Sequence, residues 1–275
     1  MNESIPDLPA SLPELAVQIN KIAAAAGEQI LDIYDTDFDI DKKDDKSPLT
    51  AADMAAHRTI VAGLKAFGDG IPVLSEESAA IAWEQRRQWR TYWLVDPLDG
   101  TREFIKKNGE FTVNIALIHD HKPILGTVYV PVSHACYYGI TGEGAFREDA
   151  GGKTPISTRR TGMENLAVAG SRSHGNETQQ AFMNRLDDAE VMAIGSSLKF
   201  CLVAEGKVDI YPRFGPTSEW DTAAAHCVVE QAGGTITDTK FNPLLYNNKE
   251  SLLNPHFLVI GDPSFDWTPY LAGLE

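Results

Sequence analysis

The segment "YWLVDPLDGTREF" (92–104) ends an apolar run with Asp96 and Asp99, three positions apart. Two like charges that close repel, and burying either alone is costly, so a positive partner is expected between them. Pro97 fixes its own φ and removes a backbone donor, while Gly100 permits a tight turn. This geometry can direct Asp96, Asp99 and the Leu98 carbonyl toward one point. Hard oxygen ligands of this kind suit Mg²⁺, whose small octahedral shell is completed by water and phosphate oxygens. Thr101 falls in the first turn of the helix that follows, its hydroxyl available to orient water.

Other acids could join this pair. "SEES" (75–78) ends a second apolar strand with Glu76 and Glu77, and strand alternation would turn only one of them into a shared site. Asp221 in "SEWDTAAAHC" stands at a helix N-terminus, where an ordinary cap accounts for it alone. Asp53 could complete a capping arrangement begun by Thr50. Each signal is ambiguous singly; the combination is not.

The elements that must position these groups are readable in outline. Ser11 and Glu14 form a capping box ahead of Leu15, Ile19, Ile22, Ala26, Ile30 and Ile33 at helical spacing. A second helix is expected from Thr50 to Phe67, ending near Gly68 and Gly70. The period then becomes alternating. "IPVLSEE" and "YWLVD" read as strands, and "FTVNIALI", "PILGTVYV" and "HACYYGI" as an antiparallel meander followed by the hairpin "GEGAFRE". The stretch "EDAGGKTP" (148–155) is the expected boundary between an N-terminal α+β half (1–150), which holds most of the acids, and a C-terminal α/β half (151–275). In the second half strands and helices alternate, which predicts a mixed or parallel sheet covered on both faces.

Composition excludes several partners. With 39 acidic against 24 basic residues the net charge is −15, a field that repels polymeric nucleic acid and anionic membranes. A small phosphorylated ligand would need metal ions or a few placed Lys and Arg. Cys136, Cys201 and Cys227 show no CxxC spacing and read as buried thiols in a reducing cytosol. "MNESIPDLPA" lacks a basic n-region and an apolar h-region, so no secretory leader is expected, and no stretch has membrane-spanning length free of charge. A cytoplasmic location follows, with peripheral attachment to the inner face of the cell membrane left open. The histidines lack mutual metal-ligand spacing and read as surface or packing residues.

Taken in order, "SPLTAAD" (47–53), "SEES" (75–78), "DPLDGT" (96–101) and "WDTAA" (220–224) resemble the signature of the inositol monophosphatase superfamily over most of the chain. "SRSH" (171–174) and "GSSLKFCLVAEGKVDIYPRFGPTSEWDTAA" (195–224) resemble its bacterial 3′(2′),5′-bisphosphate nucleotidase branch, which acts on 3′-phosphoadenosine 5′-phosphate. The resemblance implies a layered αβαβα sandwich of the sugar-phosphatase type, with an antiparallel sheet in the first half and a mixed sheet in the second. It implies two or more Mg²⁺ per site. Glu76, Asp96 and the Leu98 carbonyl would hold the first ion; Asp96, Asp99 and Asp221 would hold the second. Asp53 would orient Thr101 and, through it, the attacking water, which Glu76 also touches. Two cations roughly 3.5–4 Å apart would activate water and neutralise the leaving oxygen. Lithium would inhibit at the second metal position.

For the substrate, Ser196 and Ser197 open a helix, so their hydroxyls and amides can face an anion. Gly100 and Thr101 would border it. Lys199 supplies a point charge, Arg213 follows on the next strand, and Ser171, Arg172 and His174 precede another helix where a second phosphate could sit. The bland alternatives are helix caps for the serines and solvated faces for the cations. The acidic run within 35–47 would be a lid or a solvated loop. Two rival functions stand beside this one: an inositol monophosphatase or fructose-1,6-bisphosphatase, which would share the metal site but not the stretch 195–224, and a catalytically silent sensor of bisphosphate nucleotides. A pure binder needs no water-activating Asp53, Glu76 and Thr101, which counts against the sensor.

Overall fold

A computed structural model describes residues 8–36, 47–67, 70–162, 165–170, 176–186 and 188–274. The first helix, α1 (Leu12–Tyr34), starts as its sequence predicts: Glu14 Oε2 accepts from the Ser11 amide at 3.0 Å and from its hydroxyl at 2.7 Å. Helix α2 (Ser47–Lys65) begins three residues earlier than expected. Pro48 explains this, because its fixed φ suits a first helical turn and its missing N–H would have been an orphan there. Thr50 and Asp53 therefore lie inside the helix, and the capping role considered for Asp53 is excluded.

Strand β1 (Val73–Ser75) lies parallel to β2 (Thr91–Asp99), with the short helix α3 (Trp83–Arg86) in the connection. After β2 the chain makes one short helix, α4 (Thr101–Ile105). The expected meander follows as β3 (Thr112–His119), β4 (Lys122–Val130), β5 (Ala135–Ile140) and β6 (Gly144–Asp149). A further strand, β7 (Gly152–Ile156), was not expected. With it, "EDAGGKTP" becomes a hairpin turn closed by Gly151 N donating to Asp149 Oδ1 at 2.8 Å, and the chain leaves this sheet only after Ile156. Among the described residues the seven strands pair in chain order, antiparallel throughout except for β1 with β2.

The remaining chain alternates as predicted: β8 (Ala167–Gly170), α5 (Glu177–Met183), β9 (Glu190–Ala193), α6 (Leu198–Ala204), β10 (Ile210–Arg213) and α7 (Glu219–Gln231). Strands β11 (Thr235–Asp238) and β12 (Phe257–Ile260) and helix α8 (Thr268–Leu271) complete it. The second sheet has the order β11-β12-β10-β8-β9; β12 is antiparallel to both neighbours, and β10, β8 and β9 are parallel.

Three apolar layers join these parts. One face of the first sheet (Trp93, Val95, Ile115, Leu117) buries Leu15, Ile19 and Ile30 of α1 and Ala56 and Ile60 of α2. Its other face (Tyr92, Leu94, Ala116, Val128) shares a core with α6, α7 and the near face of the second sheet, including Ala169, Tyr211 and Val259. The far face of that sheet (Val168, Ile210, Leu258) covers Phe182 of α5 and Leu271 of α8. The result is the expected αβαβα order. Helix α7 lies directly on the first sheet because Gly126 and Gly139, cross-strand partners, leave a flat spot under it. A Cβ at Gly126 would stand 2.2 Å from the Ala224 carbonyl oxygen, and one at Gly139 2.6 Å from that of Cys227.

Candidate active site

Residues three apart on a regular strand face opposite sides. Asp96 and Asp99 escape this because the ladder shifts between them: Asp96 pairs with Asn114 and Asp99 with Thr112. Three steps on β2 thus match two on β3, a bulge that returns both aspartates to one side. Pro97 falls within the bulge, where its missing donor costs no ladder bond. Gly100 follows at φ 98°, and a side chain there would crowd the Glu110 carbonyl and Ser196 Cβ, both 3.0 Å from an added Cβ. Leu98 is buried in the α1–α2 core, and its amide donates to Asp96 Oδ1 at 3.1 Å.

The second acid pair sits on a turn rather than a strand, and of the two only Glu76 joins the cluster of acids. Strand β1 ends at Ser75, and residues 76–78 form a 3₁₀ turn. Glu76 joins Asp96 and Asp221, while Glu77 lies against Asp53. Asp221 combines the two roles weighed for it. Its Oδ2 accepts from the Ser218 amide at 2.9 Å, capping α7, and the same carboxylate faces the cluster.

Glu76, Asp96 and Asp221 each offer a ligand oxygen, all within 4.8 Å of one another. Asp96 is 1% exposed. Burial, then the charges of Asp99, Glu76 and Asp221, hold its carboxyl well above the usual range. Burial and Asp99 raise Asp221 to about 7. Glu76 is exposed at the rim, yet enough of its carboxyl is enclosed, with Glu77 and Asp99 near, to lift it to about 6. Asp53 rises to about 8 through burial and Glu77, and its Oδ1 is buried with no hydrogen-bond partner. Acids this crowded and desolvated are what a divalent ion would relieve, so these residues fit one.

Asp99 and Asp221 connect the cluster to a cleft of about 630 Å³. Gly100, Thr101, Ser196, Ser197, Lys199 and Arg213 line it. Lys199 is buried rather than solvated. Its Nζ donates to the Ser196 carbonyl at 2.8 Å and the Ile194 carbonyl at 3.2 Å, and burial lowers it to about 8. Ser197 does not turn its polar groups to the cleft; its amide and hydroxyl both donate to Asp99 Oδ2. Thr101 is exposed, and among the described residues no hydrogen bond joins it to Asp53. Ser171, Arg172 and His174, and residues 37–46 of the expected lid, lie outside the described residues. The three cysteines are free and buried, as expected.

Several participants escape the sequence. Trp220 hydrogen-bonds Glu76, and its only signal is adjacency to Asp221. Asn114 and Thr112, buried on β3, become visible once the β2–β3 register is known.

Known proteins resemble the chain along nearly its full length. Residues 12–261 match the Inositol monophosphatase family. The 3′(2′),5′-bisphosphate nucleotidase CysQ of Salmonella typhimurium is 48% identical over 244 residues, which span 88% of this chain and 98% of that protein. The protein of the same name from Haemophilus influenzae is 37% identical over 252 residues, 91% and 94% of the two chains. The crystal structure of CysQ from Bacteroides thetaiotaomicron superposes with a TM-score of 0.82 at 40% identity, covering 91% of this chain and 98% of that one. An inositol monophosphatase from Zymomonas mobilis, at 23% identity and TM-score 0.79, shares the fold over 96% of this chain and 99% of its own.

Proposed function

The chain belongs to the inositol monophosphatase family, and from that premise we propose that it is a Mg²⁺-dependent 3′(2′),5′-bisphosphate nucleotidase. It removes the 3′ phosphate of 3′-phosphoadenosine 5′-phosphate, leaving adenosine 5′-phosphate and inorganic phosphate. The observation that carries this reading is the convergence of Glu76, Asp96 and Asp221 beside a cleft that also holds Lys199 and Arg213. The enzyme acts in the cytoplasm; among the described residues no helix is long and apolar enough to cross a membrane.

Glu76, Asp96, the Leu98 carbonyl, Asp99 and Asp221 are the groups that would hold the ions. When bound, paired divalent cations lower the pKa of a water and neutralise charge developing on the leaving ribose oxygen. The chain's own residues bind and orient. Asp53, Thr101 and Glu76 set the attacking water in line with the scissile P–O bond. Lys199 and Arg213 attract the nucleotide's phosphates into the cleft, offsetting the chain's overall negative field. The water oxygen bonds to phosphorus as the bond from phosphorus to the ribose oxygen breaks, the water giving up one proton and the ribose oxygen gaining one, so the products are a free hydroxyl and inorganic phosphate and no covalent phosphoenzyme forms.

A phosphate-release assay across substrates tests the reading. With Mg²⁺, 3′-phosphoadenosine 5′-phosphate should be hydrolysed at least about 100-fold faster than inositol 1-phosphate or fructose 1,6-bisphosphate, because a site built for polar groups rejects ligands that leave them unpaired. Chelation or Asp99→Asn should abolish turnover. Equal rates on the sugar phosphates, or nucleotide binding without turnover, would contradict it.

A further inference from the structure

Asp99 lies near the three converging acids, but one of its oxygens is engaged elsewhere. Ser197 donates to Asp99 Oδ2 twice, through its amide at 2.6 Å and its hydroxyl at 2.7 Å. The hydroxyl carries a single proton, and its neighbours decide where that proton points. Asn114 Nδ2 donates to Ser197 Oγ at 2.8 Å, while the Asp221 carbonyl, 3.1 Å away, only accepts. The carboxylate is the closer acceptor and the charged one, so it takes the proton. Asn114 is oriented in turn by Thr112, whose hydroxyl donates to Asn114 Oδ1 at 3.2 Å. Ser197 and Asn114 are 1% exposed and Thr112 fully buried, so water does not compete for these bonds.

This chain of donors leaves Asp99 with Oδ1, which accepts no hydrogen bond among the described residues. The distinction matters for cations. Ca²⁺ takes six to eight oxygens and readily binds carboxylates through both, whereas Mg²⁺ demands near-octahedral single-oxygen ligation. Resting on the metal-site reading above, we propose that Ser197, oriented by Asn114, is a positioning residue: it holds Asp99 to one free oxygen and biases the site toward a small octahedral ion over calcium. The device is distinct from catalysis, since Ser197 would touch neither the ion nor the reacting phosphate to exert it.

Isothermal titration of the full chain with Mg²⁺ and with Ca²⁺, in the absence of substrate, tests the inference. In Ser197→Ala the ratio of Ca²⁺ to Mg²⁺ affinity should rise about tenfold, the scale on which partners of metal ligands act. Ser197→Thr, which keeps the hydroxyl, should restore the wild-type ratio. Asn114→Leu should move it in the same direction as Ser197→Ala, and it decides the matter if the alanine variant does not fold by circular dichroism. A ratio within about twofold of wild type in the folded Ser197→Ala or Asn114→Leu protein would overturn the inference and leave the metal site standing. A wild-type chain that binds neither ion would overturn the metal site and this inference with it.

Discussion

Asp96 is buried among Asp99, Glu76 and Asp221, whose charges all push its carboxyl upward. Its replacement therefore separates function from folding. Asp96→Asn should lower kcat by at least about 100-fold, as loss of a charge that organises the reacting groups does, in phosphate-release assays. The thermal midpoint of the chelator-treated variant should equal or exceed that of wild type at pH 8, because a buried repulsion has been removed. Near-normal turnover would refute its central place. The types of the acids were legible from "DPLDGT", "SEES" and "WDTAA"; their directions were not. Alternation put only one of Glu76 and Glu77 into the site; Glu76 alone joins the cluster, although a 3₁₀ turn after Ser75, not a strand, turns it there. Ser197 looked like an anion contact, and only the approach of Asp99 from a distant strand shows where its hydrogen bonds go.

At the level of elements, the site depends on a bulge, a helix start and a bare patch of sheet. The bulge between Asp96 and Asp99 is not readable from β2 alone, since register is a property of two strands. Pro97 marked an irregularity without giving its form. The Gly-Gly of "EDAGGKTP" marked a turn, and that turn joins β6 to β7 within one sheet, because glycine signals a change of direction whether the chain changes layer or doubles back. The bare patch is testable. Gly126→Ala should destabilise the protein by about 1–3 kcal/mol in denaturant unfolding, the usual cost of overpacking. Because α7 carries Asp221, activity of the folded variant should fall as well. Unchanged stability would mean that α7 yields easily, which the 2.2 Å approach of an added Cβ to the Ala224 carbonyl argues against.

For the molecule as a whole, crowded acids link stability, pH and cations. Asp53, Asp221 and Glu76 are raised in the folded chain to about 8, 7 and 6 respectively, against about 4 when unfolded. Between those values the folded protein holds more protons than the unfolded one, so their contribution is fully present below about pH 4 and lost as pH climbs toward 8. The midpoint in chelator should thus fall relative to that in Mg²⁺ as pH goes from 5 to 8, the gap widening because cations bind the deprotonated acids. A constant gap would contradict the assignment. The change from an antiparallel meander to strand–helix alternation agrees with the layered fold, which the family resemblance implied and periodicity alone would not have given; the interlocking of α7 with the first sheet belongs to tertiary packing. The central claim, that acids from distant segments enclose a divalent ion, is tested most directly by crystals of the protein grown with Mn²⁺ and measured for anomalous scattering. An anomalous peak enclosed by Glu76, Asp96 and Asp221 is the predicted result, and a map with no peak among those three carboxylates would contradict the account.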